Sequence, residues 1–365
     1  MKAVFRADAS LQIGSGHIMR CLTLASKLAE KGWQCLFVCR PHEGHLIEHI
    51  ASKGFQVFAL SKNTPLESDG KTGHQAWLGC DWQKDAEETK QILLKIAPDW
   101  LIVDHYALDV QWESIQRLAH CKIMVIDDLV DRQHDCDVLL DQTLNRQASE
   151  YSGLTPAHTV LLCGTRYGLL RPEFVSLRRQ SLERRLSTHN IKNILITMGG
   201  VDQFNATLIV LKTLNQLQSC SSFQVTVVLG ALSKNLPEIQ DFKSHASFEI
   251  SILTNVSNMA ELMLQHDLAI GAAGSTSWER CCMGLPTAIV ILADNQVDGA
   301  DALAKENAAY IIGDIAKIES NLPKAIQYFS QPNVLQEMGK TSSDLVDGLG
   351  AERVFSALES KNGVA

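Results

Sequence analysis

Lys2-Ala3-Val4-Phe5-Arg6-Ala7-Asp8-Ala9-Ser10-Leu11-Gln12-Ile13-Gly14-Ser15-Gly16-His17-Ile18-Met19-Arg20 stands at the start of the chain and decides its fold class. Lys2 to Arg6 is a short apolar run that reads as a strand. Asp8 to Gly16 is polar and glycine-bearing, which reads as a turn. From Ile18 to Ala29, apolar residues recur at helical spacing, with Met19, Leu22, Ala25 and Ala29 expected near one face. Gly32 ends that helix, and Gln34 to Cys39 is the next strand. This is a strand-loop-helix-strand unit, the building block of a parallel sheet.

The pattern recurs. Helical stretches at Ile47 to Lys53, Asp85 to Ile96 and Trp112 to Ala119 alternate with extended runs at Gln56 to Leu60, Trp100 to Asp104 and Lys122 to Asp127. Between Arg171 and Asn193 the strand patterning stops, and Arg178, Arg179, Arg184 and Arg185 cluster there. This segment is expected to be a helix and linker, with the arginines on a solvated or interdomain face. A second unit then opens like the first. Its strand Asn193 to Thr197 leads to a turn from Met198 to Asn205 and a helix from Ala206 to Leu217. Further strands are expected at Gln224 to Leu229, Phe248 to Leu253, Leu268 to Gly271 and Thr287 to Leu292. The expectation is therefore an α/β chain with two Rossmann-like domains. They comprise residues 1–170 and 193–350, with a linker at 171–192 and a tail at 351–365. In such folds ligands sit at the carboxyl ends of the strands, so a cleft between two such domains is the expected site.

Composition narrows the function classes. The 365 residues are 45% hydrophobic and 20% charged, with a net charge of −8, which describes a globular chain and not a disordered one. A broadly basic nucleic-acid surface is not expected. No apolar run approaches the ~18 residues of a membrane span. The charged start lacks the apolar core of an export signal, so a cytoplasmic, reduced setting is expected. The ten cysteines contain no Cys-x-x-Cys pair, and buried free thiols are expected. His134-Asp135-Cys136-Asp137 lacks a second cluster at zinc spacing, and its Asp-x-Asp is too short to carry a metal assignment. No metal and no cofactor are expected.

Four segments carry chemistry. Gly14 and Gly16 allow close backbone approach of a ligand, and His17 follows at the loop-helix junction, where a neutral imidazole is a general base near neutral pH. The segment is not the dinucleotide pattern Gly-x-Gly-x-x-Gly, because position 19 is Met. Gly271-Ala272-Ala273-Gly274-Ser275-Thr276-Ser277-Trp278-Glu279 is a small-residue turn whose hydroxyls suit helix capping or a diphosphate, with Glu279 placed for ribose hydroxyls. Asn295 and Gln296 end the strand that follows. Asp104-His105-Tyr106 and Ile126-Asp127-Asp128-Leu129 each lie at a strand end, where polar groups face the expected ligand.

Taken in order, these segments with Leu170-Arg171-Pro172-Glu173-Phe174 and Met198-Gly199-Gly200 resemble the UDP-2,4-diacetamido-2,4,6-trideoxy-β-L-altropyranose hydrolases of pseudaminic acid biosynthesis, the PseG family. That family is similar in turn to MurG, the peptidoglycan N-acetylglucosaminyltransferase, whose GT-B fold has two Rossmann-like domains facing across a cleft. The resemblance covers roughly residues 1 to 310. It implies a metal-independent, inverting cleavage of the sugar C1–O bond with release of UDP. His17 matches the base that activates water, and Tyr106 a tyrosine near that water. Arg171, Glu279 and Asn295 match polar residues associated with substrate. Val256 falls near the uracil through its backbone, Glu279 on the ribose, and Gly199 and Gly200 on the second glycine turn. Tyr106 and Asp8 are the fallback candidates for the base. A UDP-sugar is the one partner implied, and a monomer is expected. A glycosyltransferase on the same scaffold and a non-catalytic UDP-sugar sensor are the rival readings.

Overall fold

The computed structural model describes residues 1–62, 73–200, 202–217, 220–230 and 233–361. Val201, within the expected second turn, lies outside the described residues. Residues 1–169 and 349–365 form one compact unit, and 170–348 the other.

The first unit is built on strands Lys2–Ala7 (β1), Gln34–Cys39 (β2), Gln56–Ala59 (β3), Trp100–Asp104 (β4), Lys122–Ile126 (β5), Val138–Asp141 (β6) and Val160–Cys163 (β7). Their order across the sheet is β3-β2-β1-β4-β5-β6-β7, with every pairing parallel. The strands read as near-continuous apolar runs because helices cover both faces. Phe5 and Phe37 stack with ring centroids 4.9 Å apart on one face, and Val4, Leu101 and Trp112 pack on the other.

The second unit has Asn193–Thr197 (β8), Gln224–Leu229 (β9), Glu249–Thr254 (β10), Leu268–Ala272 (β11), Thr287–Ile291 (β12) and Tyr310–Asp314 (β13). These run β10-β9-β8-β11-β12-β13, again all parallel. In each sheet the winding direction reverses beside the first strand: between β1 and β4, and between β8 and β11. At such a point the loops leaving two neighbouring strands diverge and open a crevice for ligand. The fold is thus two Rossmann-like parallel sheets.

Several expectations need correction. The tail is not a separate appendage over Gly350–Lys361. It is a helix of the first unit that buries Val354 and Leu358, sets Phe355 edge-on to Trp33 at 6.2 Å, and pairs Glu352 with Lys27 and Lys31. The segment placed between the domains is a helix, Pro172–Leu186, within the second unit, started by Pro172 at its first position. Its arginines are not a solvated face, apart from Arg179. Arg184 and Arg185 donate to the carbonyls of Met263, Gln265 and His266, where the helix Met259–Gln265 ends, and Arg178 donates to those of Cys282 and Ser343. Cations at the last carbonyls of a helix satisfy acceptors that have no partner within it. The helix Gly16–Glu30 buries Ile18, Cys21, Leu22, Leu24, Ala25 and Leu28, while Ala29 is exposed, so its inward face is rotated from the expected one. Strands β6, β7 and β13 were not anticipated. Each is only four or five residues long, and length alone cannot separate so short an apolar run from loop or helix.

Candidate functional site

At the first reversal point, the loop after β1 folds on itself. Ser10 Oγ accepts from the amides of Gln12 and Ile13, and Gly14 bonds back to the Ser10 carbonyl at 2.9 Å. Gly14 has φ +78°, a conformation that a side chain would strain. The helix starts at Gly16, which makes His17 its second residue. His17 is 7% exposed. It does not cap the helix. Its Nδ1 lies 2.6 Å from Oδ1 of Asp104, the last residue of β4.

Asp104 is fully buried, and both of its oxygens are engaged by Arg20, at 2.6 and 2.7 Å. Burial alone would raise its pKa; the charges of Arg20 and His17 outweigh that and hold the carboxyl well below the usual range. An ionised carboxylate at Nδ1 fixes the tautomer of the imidazole: Nδ1 carries the proton and Nε2 keeps its lone pair. His17 is therefore oriented as a proton acceptor. One turn of helix sets this up, because His17 and Arg20 are three residues apart and lie on the same face.

Tyr106, two residues beyond Asp104, lies edge-on to His17 at 4.6 Å. Its hydroxyl donates to Asp128, which also receives Arg20 at 3.1 Å. Burial, reinforced by Asp128, raises the phenol well above its ordinary pKa, so Tyr106 is a neutral donor. Trp77 stacks on Tyr106 at 5.7 Å, and His74 packs against both rings. His74 and Trp77 escaped the sequence reading because they belong to a stretch without motif or periodicity. Asp8 cannot serve as the base. It is fully buried and paired with Arg6 at 2.7 Å.

The acids considered as metal ligands have other partners. Asp127 meets Arg132 at 2.8 Å and receives the Tyr151 hydroxyl; Asp135 and Asp137 both bind Arg117. Among the described residues no three His, Cys, Asp or Glu side chains are arranged to hold a metal ion. The nine described cysteines are free, and all but Cys163 are buried.

At the second reversal point, Met198, Gly199 and Gly200 follow β8, and Ala273, Gly274 and Ser275 follow β11. Ser275 stands at the helix start without a side-chain capping bond, and Thr276 is the first helical residue. Ser277 does not cap either: it is buried and receives Arg280 at 2.9 Å. Glu279 meets Arg171 at 3.3 Å, and Arg171 also holds Glu173 at 2.9 Å. Burial raises the Glu279 pKa against the pull of Arg171. Val256 follows β10 after Asn255, which has φ +52°. Asn295 is exposed in the short turn Asp294–Gln296 after β12, and Gln296 accepts from the Leu292 amide at 3.0 Å. So His17, Tyr106, Gly14 and Gly16 gather at one switch point. Arg171, Gly199, Gly200, Ser275, Thr276 and Glu279 belong to the second unit, and Val256, Asn295 and Gln296 follow neighbouring strand ends there.

Residues 193–353 match the family model described as the glycosyltransferase family 28 C-terminal domain. The matched residues fall almost entirely in the second unit. Over the whole chain, the solved structure of Acinetobacter baumannii MurG superposes with a TM-score of 0.68 at 16% identity, covering 98% of this chain and 99% of that one. A Neisseria meningitidis UDP-GlcNAc 2-epimerase bound to UDP-GlcNAc superposes at 0.59 and 14% identity, over 99% of this chain and 100% of the other. At such identities the likeness is one of fold, a GT-B-like chain of two Rossmann-like domains as expected from the sequence. Among curated relatives, the UDP-2,4-diacetamido-2,4,6-trideoxy-β-L-altropyranose hydrolase of Campylobacter jejuni is 29% identical over 84% of this chain and 97% of its own length. The Bacillus subtilis spore coat polysaccharide biosynthesis protein SpsG is 25% identical over 54% of this chain and 57% of its own. The resemblance read from the ordered motifs is upheld.

Proposed function

We propose that this chain is a UDP-sugar hydrolase acting on UDP-2,4-diacetamido-2,4,6-trideoxy-β-L-altropyranose, a step of pseudaminic acid biosynthesis. The observation that carries the reading is the contact between His17 Nδ1 and the ionised Asp104, which leaves Nε2 as the acceptor. The C. jejuni hydrolase, similar along nearly its whole length, supplies the substrate class.

Water attacks C1 of the sugar, and Nε2 of His17 takes its proton. The C1–O bond breaks with its electron pair leaving on the β-phosphate oxygen of UDP. Attack opposite the leaving group inverts the anomeric centre and gives free 2,4-diacetamido-2,4,6-trideoxy-L-altrose. UDP is a good leaving group, so a single base suffices where most glycosidases need two carboxylates. Tyr106, kept neutral and held by Asp128, is placed to orient the water or the sugar. In the second unit, the turns at Gly199–Gly200 and Ser275–Thr276 receive the diphosphate. Glu279 takes the ribose hydroxyls, leaving Arg171 to the phosphates, and Val256 contacts the uracil through its backbone. Asn295 and Gln296 complete the substrate contacts. Asp104, Asp127, Asp128, Asp135 and Asp137 are engaged by arginines, which supports a reaction without a divalent ion. The protein acts as a cytoplasmic monomer.

The family 28 match favours a second reading, transfer of the sugar to an acceptor hydroxyl. The experiment that separates them incubates purified protein with the UDP-sugar after EDTA treatment and without acceptor. Multiple-turnover release of UDP, with NMR identification of the free sugar anomer, is expected. UDP release that depends on an added acceptor establishes the transferase, and no turnover with any UDP-sugar leaves a sensor.

A further inference from the structure

Arg280 belongs to the helix Thr276–Cys282 and is 1% exposed. One terminal nitrogen donates to the Ala272 carbonyl at 2.7 Å and the Ser277 hydroxyl at 2.9 Å. The other stands 3.5 Å from Thr197 Oγ1 and 3.4 Å from Thr276 Oγ1. Nε has no hydrogen-bond partner. All four partners are neutral, and among the described residues no carboxylate oxygen lies within ion-pair distance of this guanidinium. The adjacent Glu279 is turned to Arg171. Burial accordingly pushes the Arg280 pKa down to about 10.

The backbone makes room for this cation. Gly271 pairs in register with Thr197 across β11 and β8. A Cβ at Gly271 would fall 2.7 Å from the guanidinium and 2.7 Å from the Thr197 carbonyl. Glycine is required there because the Thr197 carbonyl and the guanidinium together fill the space. Three other buried arginines are neutralised: Arg6, Arg20 and Arg40 each have a carboxylate within 2.7 Å. Buried Arg185 also lacks a carboxylate among the described residues and is held by the Met263 and His266 carbonyls at the end of a helix. A buried charge without a counter-ion is strongly unfavourable unless something else supplies one. Thr197 and Ala272, which Arg280 touches, are the residues from which the turns Met198–Gly200 and Ala273–Ser275 depart.

We propose that Arg280 is a positioning residue for the diphosphate: its uncompensated charge is the counter-charge toward which the two turns draw an anionic leaving group, acting through them and not by contact. This rests on the reading that the second unit binds a nucleoside diphosphate. It also explains discrimination, since a neutral nucleoside gains nothing from the charge.

The test compares the affinities of UDP and uridine by calorimetry, at low and at moderate salt, for wild type, Arg280→Gln and Arg280→Lys. Glutamine keeps part of the hydrogen bonding and removes the charge; lysine keeps the charge and loses most of the hydrogen bonding. Arg280→Gln should lower the UDP-to-uridine affinity ratio about 10- to 100-fold and flatten its salt dependence, while Arg280→Lys stays within about threefold of wild type. An unchanged ratio in a folded Arg280→Gln protein overturns the proposal. Should that variant fail to fold, the lysine variant decides: a ratio that falls tenfold makes Arg280 a hydrogen-bonding staple only. Wild-type protein that binds neither UDP nor uridine overturns the nucleotide reading itself, a distinguishable failure.

Discussion

The two reversal points share a topology and differ in their charge. Beside β1 and β4, cations and carboxylates are matched almost atom for atom: Arg6 with Asp8 and Asp85, Arg40 with Asp85 and Glu88, Arg20 with Asp104 and Asp128. His17 is attached to the edge of that network through Nδ1. After β8 and β11, Asp202 is taken up by the amides of Ala206 and Thr207 and Glu279 by Arg171, while the buried cation Arg280 meets only hydroxyls and backbone and is unmatched. A neutralised network holds a titratable group in one protonation geometry; an unmatched cation waits for an anion. The proposed function divides the fold along this line, with chemistry in the first unit and nucleotide binding in the second.

The sharpest break in that division is His17→Asn. It retains a hydrogen-bonding side chain but cannot accept the proton, so kcat should fall by roughly 10²–10⁴-fold. UDP affinity should stay within about twofold, because the nucleotide is assigned to the other unit. Steady-state kinetics and calorimetry on the folded variant measure both. Near-normal kcat would detach the chemistry from the first unit.

Asp104→Asn comes next. It removes the acceptor that fixes the His17 tautomer and leaves Arg20 short of a counter-charge. We expect kcat to fall about 10²–10³-fold, with a loss of stability of about 3 kcal/mol or more from the broken buried pair. The 15N shifts of the His17 ring separate the two effects: wild type should show a protonated Nδ1, and the variant a mixture of tautomers. An unmixed ring in a slow enzyme would show that Asp104 acts by some other route.

Glu279→Ala sharpens the other side. Loss of a charge-assisted acceptor should weaken UDP binding about 10- to 150-fold while kcat at saturation changes little. Calorimetry with UDP against 2′-deoxy-UDP identifies the contact, because the deoxy compound should lose little more in the variant. Unchanged UDP affinity would remove Glu279 from the site.

Much of this was legible in the sequence, for physical reasons that can be named. The strand-turn-helix rhythm declared two parallel sheets because buried strands must be short, apolar and separated by helices. The His17 segment and the Gly271–Glu279 segment were found because glycine and small residues at a strand end have few other uses. The partner of His17 was visible only as part of Asp104-His105-Tyr106, since 87 residues separate it from the histidine and the sheet order alone brings β4 beside β1. Trp77 and His74 left no local signal. Arg178, Arg184 and Arg185 were misread because charge clusters usually face solvent, whereas these serve the open carbonyls of helix and loop ends. Arg280 stood in plain view, but its lack of a counter-ion is a fact of packing.

The smallest expected effect probes how the matched network of the first unit responds to pH. His134 is buried between Glu113 at 2.7 Å and Asp127 at 3.8 Å. Burial opposes its charge, but Asp127 and Glu113 overcome that and push its pKa up to about 9. A folded pKa above the unfolded value of about 6.5 stabilises fully below that unfolded value and is lost as pH rises through about 9. The contribution is at most about 3 kcal/mol. Urea unfolding at pH 6 and pH 9.5 should show His134→Asn losing most of the wild-type difference. Equal pH sensitivity in both proteins would place the titration elsewhere.

The most direct test of the division runs the reaction in 18O-water and weighs both products. Attack at C1 by water that His17 activates puts the label on the anomeric oxygen of the sugar and leaves UDP unlabelled. Label in the β-phosphate of UDP would mean cleavage at phosphorus, and would contradict the assignment of the chemistry to His17 acting on the sugar carbon.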